Sequence, residues 1–206
     1  MVTKVQEERR GSVPTSVTLR ICEELRRILS PERYEHCQGV MNLATQLAQK
    51  YGGDPEKAAL AGILHDIARE LSPDQLLAEA RRHRIPVDPL EEKSPILLHG
   101  KIGALHARLD WGVDDPEVLE AIALHITADS HMSLTAQLIF LADFAEPGRS
   151  FGSARFAREL SYINLGSALE YVLNQEIIFV LNQGFLLHPK TLAARNRLLL
   201  EGTLNP

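Results

Sequence analysis

The chain has 206 residues, 45% of them apolar, and a formal net charge of −5; that is enough for one substantial domain with its own core, with no basic surplus for specific nucleic-acid binding. Its two cysteines, Cys22 and Cys37, form no CxxC pair and no disulfide framework, which points to a reduced, cytoplasmic setting. The opening residues contain no signal-peptide core, and no run approaches the ~18 uninterrupted apolar residues of a membrane-spanning helix.

Residues 1–15 are expected to be loose, and a first helix to run over about residues 17–29. From residue 30 the punctuation repeats. Ser30-Pro31 opens a segment that closes at Gly52-Gly53; Asp54-Pro55, Ser72-Pro73, Ser94-Pro95 and Asp115-Pro116 open four more. Ser or Asp at such a position can cap the exposed N–H groups of a helix start, and proline one residue later loses no intrahelical bond and has its φ preset. Ser72 with Gln75 also fits a capping box. Apolar spacing agrees: Val40, Leu43, Ala44, Leu47 and Ala48 recur at three- and four-residue steps, as do Ala59, Leu60, Ile63, Leu64 and Ile67. Further helices are expected over residues 133–145, 154–173, 176–182 and 191–200. Neither strand alternation nor an Asn-Gly hairpin appears, which predicts an all-α fold: one helical bundle over residues 16–175, with residues 176–206 as a helical extension packed on it. The apolar helices of that C-terminal part also suit a homodimer face.

Six ligand-capable side chains sit on or beside these stripes. His65 and Asp66 stand side by side at the end of the apolar run in "GILHDIARE"; neighbouring helix residues point about 100° apart, so both can reach one ion only from the groove between them. His36 begins the stripe of its own helix, His99 follows Ile96, Leu97 and Leu98, His125 ends "EVLEAIALH", and Asp143 interrupts "LIFLADFAEP". Singly, each suits a packed or solvated structural role. As a set they are costly, because burying a carboxylate such as Asp143 without a partner costs several kcal/mol, and a shared metal site compensates all of them. Four imidazoles and two carboxylates suit Fe, Mn, Zn, Co or Ni better than Mg or Ca. Six ligands exceed what one tetrahedral ion with an open position needs; two ions sharing a carboxylate fit better.

The order and setting of these residues resemble the HD-domain metal-dependent phosphohydrolases, and within them the YqeK-type subfamily. The resemblance spans about residues 19–175 and rests on "RYEHCQGV", "AGILHDIAR", "LLHGKIGA", "AIALH" and "MSLTAQLIFLADFAEPGR". It implies an HD-domain helical bundle and a symmetrical diadenosine tetraphosphate hydrolase, which cuts its nucleotide substrate into two ADP at a centre of two divalent transition metals, commonly iron. By the resemblance, His36, His65, Asp66 and Asp143 hold one metal, and His99 and His125 hold the other, with Asp66 bridging. Two ions roughly 3.5–4 Å apart can lower the pKa of a water between them, and the resulting hydroxide attacks phosphorus in line; Asp66 would orient it. The chain departs from the subfamily pattern after the fourth histidine. Ile126 stands where a threonine is usual and Ala128 where a glycine is, with Thr127 the nearest replacement hydroxyl.

The phosphate charge needs cations. Arg69, three residues past Asp66 and near the same helix face, is the first candidate, for catalysis as well as substrate binding. Lys101, Arg149 and Thr127 are further candidate substrate contacts, and Gly103, with Gly100, would let a polyphosphate approach helix backbone closely. Glu146 is expected to support Arg149 or a helix end and is a lesser candidate for backing a metal ligand, and His83 and His188 are expected to lie on the surface. Three other functions fit parts of the pattern: a catalytically weak nucleotide-binding regulator, suggested by Ile126 and Ala128, a mononuclear HD nucleotidase, and a di-iron HD oxygenase.

Overall fold

The computed structural model describes residues 16–201, so the looseness expected of residues 1–15 lies outside the described residues. Every regular element within that range is helical. α1 (Ser16–Ile28) leads into α2 (Pro31–Tyr51), α3 (Pro55–Leu64), α4 (Pro73–Arg82) and the short α5 (Pro89–Lys93). A 3₁₀ turn (Pro95–Leu98) runs straight into α6 (His99–Trp111), followed by α7 (Pro116–Leu124), α8 (Leu134–Ala145), α9 (Gly152–Ser161), α10 (Leu165–Asn182) and α11 (Pro189–Leu200).

The polar-then-proline starts act through their side chains. Asp54 accepts from the N–H groups of Glu56 and Lys57, and Asp115 from those of Glu117 and Val118. Ser72 forms a reciprocal capping box with Gln75, and Asp88 does so with Glu91. The start at Ser94 differs: it makes no side-chain cap and opens only the 3₁₀ turn, so the α-helix expected there begins at His99.

Other boundaries also differ from expectation. The second segment stops being helical at Leu64, before Ile67. Here the His65 ring bonds to the Gly62 carbonyl at 2.8 Å and occupies the acceptor that would continue the helix. Turns follow, closed by bonds from Ile67 N–H to Leu64 and from Arg69 N–H to Asp66. The helix expected over residues 154–173 is broken at 162–164, where the Asn164 side chain accepts from the Ser167 N–H at 2.9 Å and starts α10. α10 then runs unbroken to Asn182, so the domain boundary expected after residue 175 falls inside a continuous helix.

α2 packs on α3 and α8, and α7 on α3, α6 and α8, while α9 and α10 close over α8 and α11 lies on α10. The predicted stripes meet in one core. Val40, Leu43 and Leu47 of α2, Ile63 and Leu64 of α3, Ile122 of α7, and Leu138, Ile139 and Leu141 of α8 are each no more than 2% exposed. Burying one such side chain contributes roughly 1.5–3 kcal/mol. Two close approaches then set the site. A Cβ on Gly62 would lie 2.6 Å from the Met41 Cα, so α3 rests directly on the α2 backbone. A Cβ on Gly100 would lie 2.8 Å from the Ala123 carbonyl oxygen, so α6 touches α7 in the same way beside His99 and His125. Gly100, expected to admit a polyphosphate, thus stands where α6 and α7 touch. No helix among the described residues is long and apolar enough to cross a membrane.

Candidate metal centre

Three of the four histidines sit at helix ends. His65 follows α3, His99 opens α6 and His125 follows α7. In each, Nδ1 lies against the carbonyl three residues earlier: Gly62 at 2.8 Å, Ile96 at 2.5 Å and Ile122 at 2.7 Å. A carbonyl can only accept, so Nδ1 carries the proton and Nε2 presents its lone pair. His36, inside α2, is oriented by a carboxylate instead, with its Nδ1 3.2 Å from Glu146 Oε1.

The Nε2 atoms fall into two groups on either side of Asp66. In one, His36 Nε2 lies 3.0 Å from Asp143 Oδ1 and 3.3 Å from His65 Nε2, and Asp66 Oδ2 stands 3.6 Å from His65 Nε2 and 3.9 Å from His36 Nε2. In the other, His99 Nε2 lies 3.1 Å from His125 Nε2, and Asp66 Oδ1 is 3.1 Å from the first and 3.4 Å from the second. The donor set fits metal. Lone pairs that face one another at these distances repel, and carboxylates beside them add negative charge; a cation within each group satisfies all of them. One ligand atom each from His36, His65 and Asp143 lies within a 4.8 Å span, and the same holds for His65, Asp66 and His125.

Ionisation is uneven across the set. Burial pushes His65 down to about 4 and lowers His99. On His36 and His125 burial acts the same way, but Asp143 and Asp66 respectively outweigh it and raise both. Burial opposes the charge on Asp66, yet the neighbouring His65, His125 and His99 hold its carboxyl well below the usual range. Asp143 is held low in the same way, chiefly by His36 beside it.

The centre lies in a cleft of about 1410 Å³, lined among others by Arg33, Arg69, Ile126 and Arg149. Arg149 Nη2 bonds to Asp143 Oδ1 at 3.1 Å, and Arg33 Nη1 bonds to Asp66 Oδ2. The Nε atoms of both are buried and have no hydrogen-bond partner among the described residues. Sequence reasoning passed over Arg33, although it stands three residues before His36 and so on the same helix face. Glu146 supports a helix end only in part. Its Oε1 faces His36 and its Oε2 accepts the Gly148 N–H at 2.5 Å; Arg149 meets its backbone carbonyl, not its side chain.

Three expected substrate contacts lie elsewhere. Lys101 pairs with Glu91 at 2.6 Å and with the Pro86 carbonyl at 3.1 Å, on the far side of α6 from His99. Gly103 packs on α7, where an added Cβ would meet Ile122 Cγ2 at 3.3 Å and the His65 carbonyl oxygen at 3.4 Å. Thr127 is buried and donates to the Ala128 carbonyl at 3.1 Å, leaving Ile126 to face the cleft. Ala128 itself has φ +54, a conformation that costs an L side chain energy and that a glycine, the residue expected here from the resemblance, adopts freely. His188, expected on the surface, is buried against Asp88, with Nε2 3.0 Å from Oδ2.

α10 adds a wall for which the sequence carried no local signal. Gln175, Glu176, Phe179 and Asn182 line the cleft together with Phe144 and Phe151. Burial, with the nearby Asp143 charge, pushes Glu176 up to about 6, while Arg149 pulls the other way.

Residues 33–147 match the family model of the HD domain. The chain is 38% identical over 173 residues to a "Bis(5'-nucleosyl)-tetraphosphatase, symmetrical" of Halalkalibacterium halodurans, covering 84% of this chain and 92% of that one. It is 32% identical to the protein of the same name from Bacillus subtilis, over 82% of this chain and 90% of the relative. Among solved structures, that of a "predicted HD superfamily hydrolase involved in NAD metabolism" from Clostridium acetobutylicum superimposes with a TM-score of 0.86 at 34% identity, over 92% of this chain and 100% of that one.

Proposed function

Because the chain belongs to the HD-domain family, we propose that it is a metal-dependent hydrolase that adds water to diadenosine tetraphosphate and releases two ADP. One observation carries the reading: two groups of inward-facing Nε2 atoms share the two oxygens of Asp66 on the floor of a cleft large enough for a dinucleotide. That division supports a pair of ions over a mononuclear site. His36, His65, Asp66 and Asp143 would hold one divalent metal, and His99, His125 and Asp66 the other. Iron is the assignment we favour, with manganese, cobalt, nickel or zinc compatible with the same donors. When bound, such ions supply Lewis acidity and activate water for attack on phosphorus.

The chain's own residues divide the remaining work. The protonated Nδ1 atoms, held by carbonyls and by Glu146, keep each imidazole pointed at the centre. Asp66 fixes the spacing between the two groups and aligns the attacking water. Arg69, Arg149 and Arg33 carry positive charge into the cleft, where guanidinium groups match phosphate oxygens. Attack at one of the two central phosphorus atoms breaks its bond to the bridging oxygen, the water oxygen stays on one ADP, and the other ADP departs with the bridging oxygen. An ADP leaving group requires little help from a general acid.

The two buried free thiols agree with a reduced, cytoplasmic location. Exposed Ile178, Leu181 and Phe185 keep a homodimer within the reading, checked by light scattering. The decisive assay supplies anaerobically prepared protein with iron, manganese or cobalt and follows diadenosine tetraphosphate by chromatography. ADP as the sole product is expected. AMP with ATP would reject symmetrical cleavage, and no turnover with any of the metals would reject the hydrolase.

A further inference from the structure

We propose that Glu176 and the aromatic wall beside it form a nucleoside subsite, in which the Glu176 carboxylate accepts hydrogen bonds from the two hydroxyls of a ribose. This rests on the hydrolase reading and names how that substrate is held.

Glu176 lies on α10, outside the residues that match the family model, yet it lines the same cleft as the metal centre. The other carboxylates there have partners or water. Asp66 has Arg33, Asp143 has Arg149, Glu146 has His36 and the Gly148 N–H, Glu70 accepts from the Ser30 N–H, and Glu32 and Glu35 are exposed. Glu176 is half-buried and makes no hydrogen bond or ion pair among the described residues. A carboxyl group drawn out of water without a partner is costly, so its position makes sense when a ligand completes it.

The substrate limits what that partner can be. Its phosphates are anionic and repel a carboxylate, so the donors come from the nucleosides. A ribose presents two adjacent O–H groups to the two oxygens of one carboxylate, the pairing by which acidic residues hold nucleotide ribose elsewhere. The neighbouring wall suits the attached base. Phe144 and Phe151 meet edge to face at 5.4 Å. Phe151 and Phe179, both cleft-lining, remain 44% and 54% exposed. Partly exposed rings beside a half-buried acceptor offer a base a face to stack on.

The test uses the full-length, metal-loaded protein, with diadenosine tetraphosphate and its bis-2'-deoxyadenosine counterpart as substrates. Wild type is expected to favour the ribose form by about tenfold in kcat/KM, chiefly through KM, as befits the one charge-assisted hydrogen bond that the deoxy form lacks. In Glu176→Ala that ratio falls to about one, and Glu176→Gln, which keeps one acceptor oxygen, falls between. A ratio that stays at the wild-type value in Glu176→Ala overturns the subsite, as does a wild type indifferent to the 2'-hydroxyl. Calorimetric binding of ADP and 2'-deoxy-ADP to the same proteins gives the readout without turnover. If wild type binds ADP the tighter and Glu176→Ala does not, the subsite stands even where the assay yields no ADP; that second failure belongs to the hydrolase reading.

Discussion

His65 shows why polar side chains are tolerated in this core. Its ring is fully buried, its Nδ1 proton is given to a carbonyl, and burial holds its pKa at about 4 rather than 6.5. The sign of the consequence follows from proton uptake. The unfolded chain takes a proton at His65 below about pH 6.5 and the folded chain does not, so this group's contribution is present above pH 6.5 and is lost as pH falls towards 4. By pH 4.5 the loss from His65 alone is about 2–3 kcal/mol. Urea unfolding of metal-free protein at pH 7 and pH 4.5 checks it: His65→Gln should show a smaller pH difference than wild type, and an equal one would reject the assignment. Glu146 Oε1 faces His36 Nδ1 at 3.2 Å, where it can orient the ring. Glu146→Gln should weaken metal binding about 10–100-fold, measured by competition with a chelator, while helical circular dichroism is retained. At this scale the sequence was informative where chemistry conflicted with burial. His36, His65, Asp66, His99, His125 and Asp143 stood out because they sit on or beside apolar stripes, and the structure brings all six together. Nearness in sequence was a poor guide to which side chains line the cleft. Lys101 follows His99 by two residues, which on a helix is about 200° of rotation, and it points away to Glu91. Thr127 lies past a helix end, where a left-handed Ala128, not helical periodicity, sets the chain's direction.

At the level of elements, the metal centre depends on two pairs of helices touching at glycine. Gly62 lets α3 lie on the α2 backbone, which puts His65 Nε2 3.3 Å from His36 Nε2, and Gly100 does the same for α6 and α7 beside His99 and His125. Gly62→Ala places a methyl against main-chain atoms that have no rotamer to move. It is expected to cost about 3 kcal/mol in urea unfolding and to lower metal affinity together with stability; a variant as stable as wild type would show that the helices can separate freely. Helix starts were legible because Ser or Asp followed by Pro has few other uses. The end of α3 and the break before α10 were not, since each depends on one side chain, His65 or Asn164, competing for a backbone group. The C-terminal helix is tied to the centre by bonds that no periodicity reveals. Thr191 donates to the Thr127 carbonyl at 2.8 Å, Lys190 pairs with Asp129 at 2.9 Å, and His188 reaches Asp88 at the start of α5. Asp88, Glu91 and His188 approach one another closely enough to suggest a metal site. His188 Nδ1, however, accepts from the Lys190 N–H, so its Nε2 bears the proton and donates to Asp88, and Lys101 neutralises Glu91. That cluster is a fastener.

Across the whole molecule, the bundle that matches the HD family carries the six candidate metal ligands, and α10 closes one side of the cleft above them. The all-α class was legible from punctuation and spacing alone. The cleft was not, because its far wall comes from a helix that returns to the centre some 30 residues after the last metal-ligand candidate, Asp143. What joins the parts is the sharing of Asp66 between two groups of imidazoles, and counting metal tests it most directly. Protein reconstituted anaerobically with iron and desalted should hold about two ions per chain by elemental analysis, His99→Ala about one, and Asp66→Ala fewer than one, each with helical circular dichroism intact. A wild type that saturates at a single ion, or an Asp66→Ala variant that keeps the full complement, would contradict the shared centre.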